Sequence, residues 1–311
     1  MSRTVALTGA TGFIGSRLAC RLERAGWQLR VLVRSRSPRA RLAGIAVQWI
    51  EGDLEDIESL RRLVRGAYAV VHCAGAVRGA SHADFNRVNV AGVARVVQAA
   101  AGNDPLPCFL LISSLAAREP HLSPYAASKR QGEEVLAALA GEISWSALRP
   151  AAVYGPGDRE LLPLFRWMGR GIAPVLGPES ARFSLLYVDD LAEAVLRWLE
   201  CRNRQPCTFE LHDGRTEGYT WDDVVGTVAC LRRRPVVRLP LPLLILKLSA
   251  VLNLMGARVM GYAPMVTPGK VCELRHFNWV CDNTRFGRET GWTPSVSLEQ
   301  GLRRTLGWDG R

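Results

Sequence analysis

Tyr125 and Lys129, in the stretch SPYAASKRQGEE, stand four residues apart at what reads as a helix start. That spacing puts both side chains on one helix face, one turn apart. With six tyrosines among 311 residues and lysine only at positions 129, 247 and 270, chance supplies such a pair about 0.06 times. The pair could carry proton chemistry. A free phenol titrates near pKa ~10, too high for a base at neutral pH, and a nearby ammonium favours the phenolate. A surface helix that merely carries both residues is the competing reading until the surroundings decide. Just upstream, FLLISSLAA places Ser113 and Ser114 at a strand end, two hydroxyls able to hold a substrate oxygen.

These residues need a scaffold, and the first half of the chain describes one. TVAL, QLRVLV, AVQWIEGD, YAVVHCAG, CFLLISS and SWSALRP read as buried strands. Between them FIGSRLACRLERAG, IESLRRLVRG, NRVNVAGVARVVQAAAG and YAASKRQGEEVLAALAG read as helices, several closed by glycine. The alternation predicts an α/β fold, a doubly wound parallel sheet with helices on both faces. Residues 1–150 form the predicted dinucleotide-binding domain and 151–311 mainly a smaller, helix-rich substrate-binding region. A segment near 182–200 (ARFSLLYVDDLAEAVLRWLE) is expected to return to the main sheet. Asp189 and Asp190 in it look like paired carboxylates, but their place before a helix predicts a cap and structural pair.

VALTGATGFIGSRLA turns from strand to helix with Gly9, Gly12 and Gly15 at the turn. Glycine permits the tight turn and close approach of a pyrophosphate, and the helix N-terminus offers free N–H groups. In this context TGATGFIG resembles the extended short-chain dehydrogenase/reductase family, whose members include epimerases, dehydratases and hydroxysteroid dehydrogenases. EGDLED, HCAGAV, NVAGV, RPAAVYGPG, YVDDLAEAV and ETGWTPSVSLEQGLRRTLGW extend the resemblance over nearly the whole chain. It implies a Rossmann fold and a cofactor site built from Gly9, Thr11, Gly12, Phe13, Ile14, Gly15, Asp53, Leu54, Ala74, Gly75, Pro150 and Val153. It also implies Tyr125 as proton donor and acceptor, Lys129 bonded to the nicotinamide ribose, and Ser114, the better aligned of the two serines, on the substrate oxygen.

The second strand ends in RVLVRSRSPRAR, so Arg34 stands where an acid would bond a ribose 2′-hydroxyl. Arginine's planar fork suits a 2′-phosphate, which favours NADP(H) over NAD(H). Ala151 and Ala152 occupy a stretch where nucleotide-sugar relatives often carry asparagine, which weakens a sugar-nucleotide substrate. LPLPLLILKLSAVLNLMGARVM (Leu239 to Met260) is unusually apolar and predicts a helix over an apolar pocket or in the core, with a membrane-surface helix as the alternative.

Composition sets the remaining bounds. At 48% hydrophobic and 22% charged residues the chain reads as soluble and globular. Its net charge of +11 comes from scattered arginines without interleaved aromatics, so no nucleic-acid partner is expected. Eight cysteines without a C-x-x-C pair suit buried thiols in a reducing cytoplasm, and five dispersed histidines give no metal site. The first residues run straight into strand-like sequence, so no signal peptide is expected. The predicted protein is a cytoplasmic oxidoreductase, interconverting a hydrophobic secondary alcohol and its carbonyl. Peripheral membrane contact and a homodimer are both compatible with it. The alternatives are a nucleotide-sugar epimerase or dehydratase with tightly bound NAD, and a non-catalytic NADPH-binding subunit.

Overall fold

The computed structural model describes residues 3–201 and 204–308. The first half runs β1 (Thr4–Thr8), α1 (Phe13–Arg24), β2 (Gln28–Val33), β3 (Val47–Glu51), α2 (Ile57–Val64), β4 (Ala69–His72), α3 (His82–Asn89), α4 (Ala91–Ala101), β5 (Cys108–Ile112), α5 (Pro124–Leu139) and β6 (Trp145–Pro150). The second half continues β7 (Ala152–Tyr154), α6 (Leu162–Arg170), β8 (Ile172–Val175), β9 (Arg182–Phe183), β10 (Leu185–Tyr187), α7 (Val188–Glu200) and β11 (Cys207–Leu211). It closes with α8 (Trp221–Arg232), β12 (Val237–Pro240), α9 (Leu243–Met260), α10 (Pro268–Arg275), β13 (Asn278–Trp279), α11 (Thr284–Thr290) and α12 (Leu298–Leu306).

Seven strands form one parallel sheet in the order β11-β6-β5-β4-β1-β2-β3. Period-two alternation sends neighbouring residues of β1 to opposite faces: Val5 and Leu7 pack with Leu18, Leu191 and Trp198, and Ala6 with Leu63, Val97 and Leu136. Both faces are therefore covered, which is why these strands are almost continuously apolar. A separate core built on Tyr154, Phe165, Met168, Tyr187, Val228 and Leu302 holds the second lobe.

Four expectations change. The helix expected through NRVNVAGVARVVQAAAG is two helices, α3 and α4, meeting at Val90 (φ −113°, ψ −65°). Within 182–200, strand β10 pairs with β7 in a two-stranded sheet apart from the main one, while α7 packs against α1. The strand that joins the main sheet is β11, beside β6. Neither acid of the Asp189–Asp190 pair caps α7, because Tyr187 occupies the cap position. Asp189 instead pairs bidentately with Arg17 at 2.7 Å, and buried Asp190 accepts hydrogen bonds from Ser295 and from the Val296 N–H. Finally, only Cys207 and Cys281 of the eight thiols are buried, and Cys230 and Cys272 are exposed on α8 and α10.

Candidate active site

In a parallel sheet every strand points the same way, so the residues following the strands gather along one edge. The strand order places Val153 and Pro150, Ser114, Ala74 and Gly75, Gly9, Arg34, then Asp53 and Leu54 along that edge in sequence. The order reverses between β1 and β4, and the crevice outside such a reversal is where ligands bind in open α/β sheets.

The turn after β1 has no room for side chains. Gly9 has φ +72°, and a Cβ on it would lie 2.6 Å from the Ala74 nitrogen. A Cβ on Gly15 would lie 2.1 Å from the Gly9 carbonyl oxygen. Gly12 closes the turn with an N–H bond to Gly9 O at 3.0 Å and is exposed, so its missing side chain leaves the helix start open to an incoming group. Thr11, Phe13 and Ile14 complete the turn, Ile14 packing into the core. Thr8 ties β1 to β4, accepting from the Ala74 N–H at 3.2 Å and bonding the buried His72 ring at 2.9 Å. Burial, reinforced by the Lys129 charge, pushes His72 down to about 3, so it stays neutral. This cradle, with free N–H groups at the start of α1, fits the pyrophosphate of a dinucleotide.

At the adenosine end Asp53 is exposed and turns the chain, Oδ1 accepting from the Glu55 and Asp56 N–H groups at 2.7 and 3.1 Å. Leu54 packs on Gly92 of α4. Arg34 is exposed, and its guanidinium has no ion pair or hydrogen bond among the described residues. A cavity of about 430 Å³ lies alongside, between Phe13 and Arg17 of α1 and the loops carrying Arg41 and Gly157; it flanks the catalytic edge and does not contain it.

Tyr125 and Lys129 share one face of α5, whose start is fixed by Ser123: its Oγ accepts from the Ala126 N–H at 2.9 Å. The Ser114 hydroxyl is the hydrogen-bond partner of Tyr125. Lys129 is buried and donates from Nζ to the Ile112 carbonyl at 3.0 Å. Two of its three protons stay available, facing Gly75, where a Cβ would come within 3.1 Å of Nζ. Ser113 is committed elsewhere. It donates to Glu133, which also receives Arg149 at 2.6 Å, a buried network one turn beyond Lys129. That leaves Ser114, whose Oγ also accepts from the Ala116 N–H at 3.2 Å, as the hydroxyl beside Tyr125.

The Tyr125 pKa is raised, not lowered as expected from Lys129. Burial pushes it up to about 12, the Ser114 bond lowers it less, and the charge of Glu273 raises it further. Lys129 is itself pushed down to about 8 by burial, which its neighbours Cys73 and Glu133 offset only in part. A phenol held protonated suits proton donation to a carbonyl oxygen.

Sequence reasoning missed α10. Its Lys270 lies 5.9 Å from the centre of the Tyr125 ring and pairs with Glu273 at 2.7 Å, and Glu273 accepts from Ser123 Oγ. Phe85 meets the Tyr125 ring edge-on at 6.0 Å. No spacing near Tyr125 signals these partners; only the close packing of Gly269 on Ser123, where a Cβ would come to 2.9 Å, places them.

Comparison with known proteins fits this geometry. Residues 5–210 match the NAD dependent epimerase/dehydratase family. The chain belongs to that family. Among curated relatives it is 37% identical to the Ceramide reductase of Caulobacter vibrioides, covering 98% of this chain and 93% of the relative. It is 32% identical to the 2-alkyl-3-oxoalkanoate reductase of Stenotrophomonas maltophilia over 61% of this chain and 63% of that one. Among solved structures, MoeE5 in complex with UDP-glucuronic acid and NAD superposes with a TM-score of 0.75 at 22% identity, covering 98% of each chain. The family, the extended short-chain dehydrogenase/reductase type, makes this chain an NAD(P)-dependent oxidoreductase with a nicotinamide dinucleotide as cofactor.

Proposed function

We propose that this protein is an NADPH-dependent ketoreductase whose substrate is a carbonyl on a long apolar chain. One observation carries the reading. Tyr125, a protonated phenol bonded to Ser114, sits beneath an apolar ring, Phe85, at an edge where Ala151 and Ala152 offer no polar side chain to a sugar. The relatives named as reductases of ceramide and of 2-alkyl-3-oxoalkanoates support it.

The dinucleotide, when bound, supplies the hydride that reaches the carbonyl carbon. The remaining work falls to the chain. Ser114 donates a hydrogen bond to the substrate oxygen, Tyr125 gives that oxygen its proton, and Lys129 holds the ribose with its spare N–H groups while its charge stabilises the phenolate left behind. Arg34, unpaired and exposed at the end of β2, supports a 2′-phosphate in place of a bare ribose hydroxyl.

Oxidation of NADPH, followed by absorbance with long-chain 3-keto lipids and with UDP-sugars, tests this. Turnover is expected with the keto lipids, and Tyr125→Phe should lower it about 10²-fold or more while leaving NADPH affinity intact. Thermal stabilisation by UDP-sugars alone would transfer the protein to the epimerase and dehydratase side of its family. An absence of turnover with every carbonyl offered would mark a non-catalytic NADPH-binding subunit.

A further inference from the structure

Helix α9 is unlike every other helix in the fold. Expected over a pocket or in the core, it buries only Leu246, Ala250 and Ala257, which line one side. At 100° per residue the opposite side carries Leu244, Leu248, Val251, Met255 and Val259, all exposed, with Leu244 at 77% and Val259 at 86%. The same surface continues through Leu239 of β12. An apolar patch this large on a soluble face marks an interaction surface.

The charges beside it identify the partner. Between Asp223 and Glu273 there is no carboxylate side chain, yet the interval carries seven cations from Arg232 to Lys270. Lys247 and Arg258 project together from one flank of α9, roughly a right angle from its apolar face, and both are exposed. Long cationic side chains at that angle reach the level of lipid headgroups while the leucine face enters the acyl boundary. The helix does not span. Its 18 residues, ~27 Å long, are followed by α10, which packs on the start of α5, and preceded by β12, which pairs with β8; both ends rejoin one body.

We infer that α9 docks this protein onto an anionic lipid bilayer, lying in the interface with its leucine face inserted. This goes beyond the substrate reading. A cavity of about 360 Å³ opens on the flank of α9, lined by Arg78, Ser249, Asn253, Tyr262, Met265 and Val266. Its neighbour Gly79 bonds the Pro264 carbonyl at 3.3 Å and abuts Phe85, the ring against Tyr125. The cavity lining mixes the polar side chains of Arg78, Ser249, Asn253 and Tyr262 with apolar Met265 and Val266, and it lies between α9 and the segment that abuts Phe85.

Cosedimentation of the full chain with vesicles tests the docking without substrate or cofactor, so its failure and that of the ketoreductase reading are separate results. Vesicles of phosphatidylcholine alone are compared with vesicles containing about one-third phosphatidylglycerol. Binding should rise at least ~5-fold on the anionic vesicles and fall with added salt. Leu248→Glu/Met255→Glu should lower it at least ~10-fold, and Lys247→Glu/Arg258→Glu should remove the preference for anionic lipid. Far-UV circular dichroism and Tm, unchanged in both variants, report that they are folded. No binding to either vesicle, or binding indifferent to these substitutions, would overturn the inference. So would a dimer in sedimentation equilibrium that Leu248→Glu/Met255→Glu dissociates, since a second copy would then cover the face.

Discussion

The ammonium of Lys270 and the phenol ring of Tyr125 lie 5.9 Å apart, although 145 positions separate the two residues in the chain. Lys270 also neutralises Glu273, the acid whose charge raises the Tyr125 pKa. Removing the cation leaves that acid unopposed.

Lys270→Met should therefore move the alkaline limb of alcohol oxidation, where phenolate is the active form, to higher pH. Glu273→Gln should move it lower. A pH profile of kcat/KM reads both shifts. A role limited to packing would change the height of the profiles without moving their midpoints.

The two adjacent serines separate cleanly. Ser114→Ala removes the hydroxyl beside Tyr125 and should reduce turnover about 10²-fold with little loss of stability. Ser113→Ala breaks a buried bond to Glu133 and should cost ~1–2 kcal/mol of stability while leaving turnover within a few-fold of the parent. Chemical denaturation beside steady-state kinetics distinguishes them.

Lys129→Met should disable turnover and weaken cofactor binding, yet stabilise the cofactor-free protein by ~2 kcal/mol at pH 7. The sign follows from burial. Below pH 8 the ammonium is present in folded and unfolded chains alike, so the full cost of burying it is felt. As pH rises from about 8 toward 10.5 the folded protein loses the proton first, and the cost fades. The gap in Tm between variant and parent should accordingly be widest below pH 8 and narrow by pH 10.

Arg34→Ala should weaken NADPH by about 1–3 kcal/mol, the range of a charge-assisted bond to phosphate, and leave NADH nearly unchanged. Fluorescence titration reports it, because Trp49 of β3 lies beside β2 with the Arg39 guanidinium 5.0 Å from its ring. Equal affinities of the parent for the two dinucleotides would remove the assignment.

What the sequence disclosed was local. The glycine turn, the six strands of the first half (though β3, at the sheet edge, is not buried as expected) and the Tyr125–Lys129 spacing each declare themselves within about fifteen residues, the range over which period and propensity act. The placing of β10 went astray because an apolar run announces burial without naming its partner strand. Likewise Ser113 gives no sign that Glu133 and Arg149 claim it. Lys270 and Glu273 reach Tyr125 only through the fit of Gly269 on Ser123, a contact that no local pattern encodes. For α9 the composition stated how apolar the helix is, and only packing shows that most of its surface is left bare.

The chain's excursion bears on how such a protein is made. The face of the sheet carrying Val5 and Leu7 is closed by Leu191 and Trp198 of α7, Phe209 of β11, and Phe286 and Trp292 near the end. A ribosome therefore delivers the glycine cradle first and the residues that close that face last. While the second lobe is being translated, the nascent nucleotide domain carries an uncovered apolar flank and an unpaired β6 edge. A fragment ending at residue 150 keeps every cradle glycine but lacks that cover, so the cradle and its support have to be inherited together, as one translation unit.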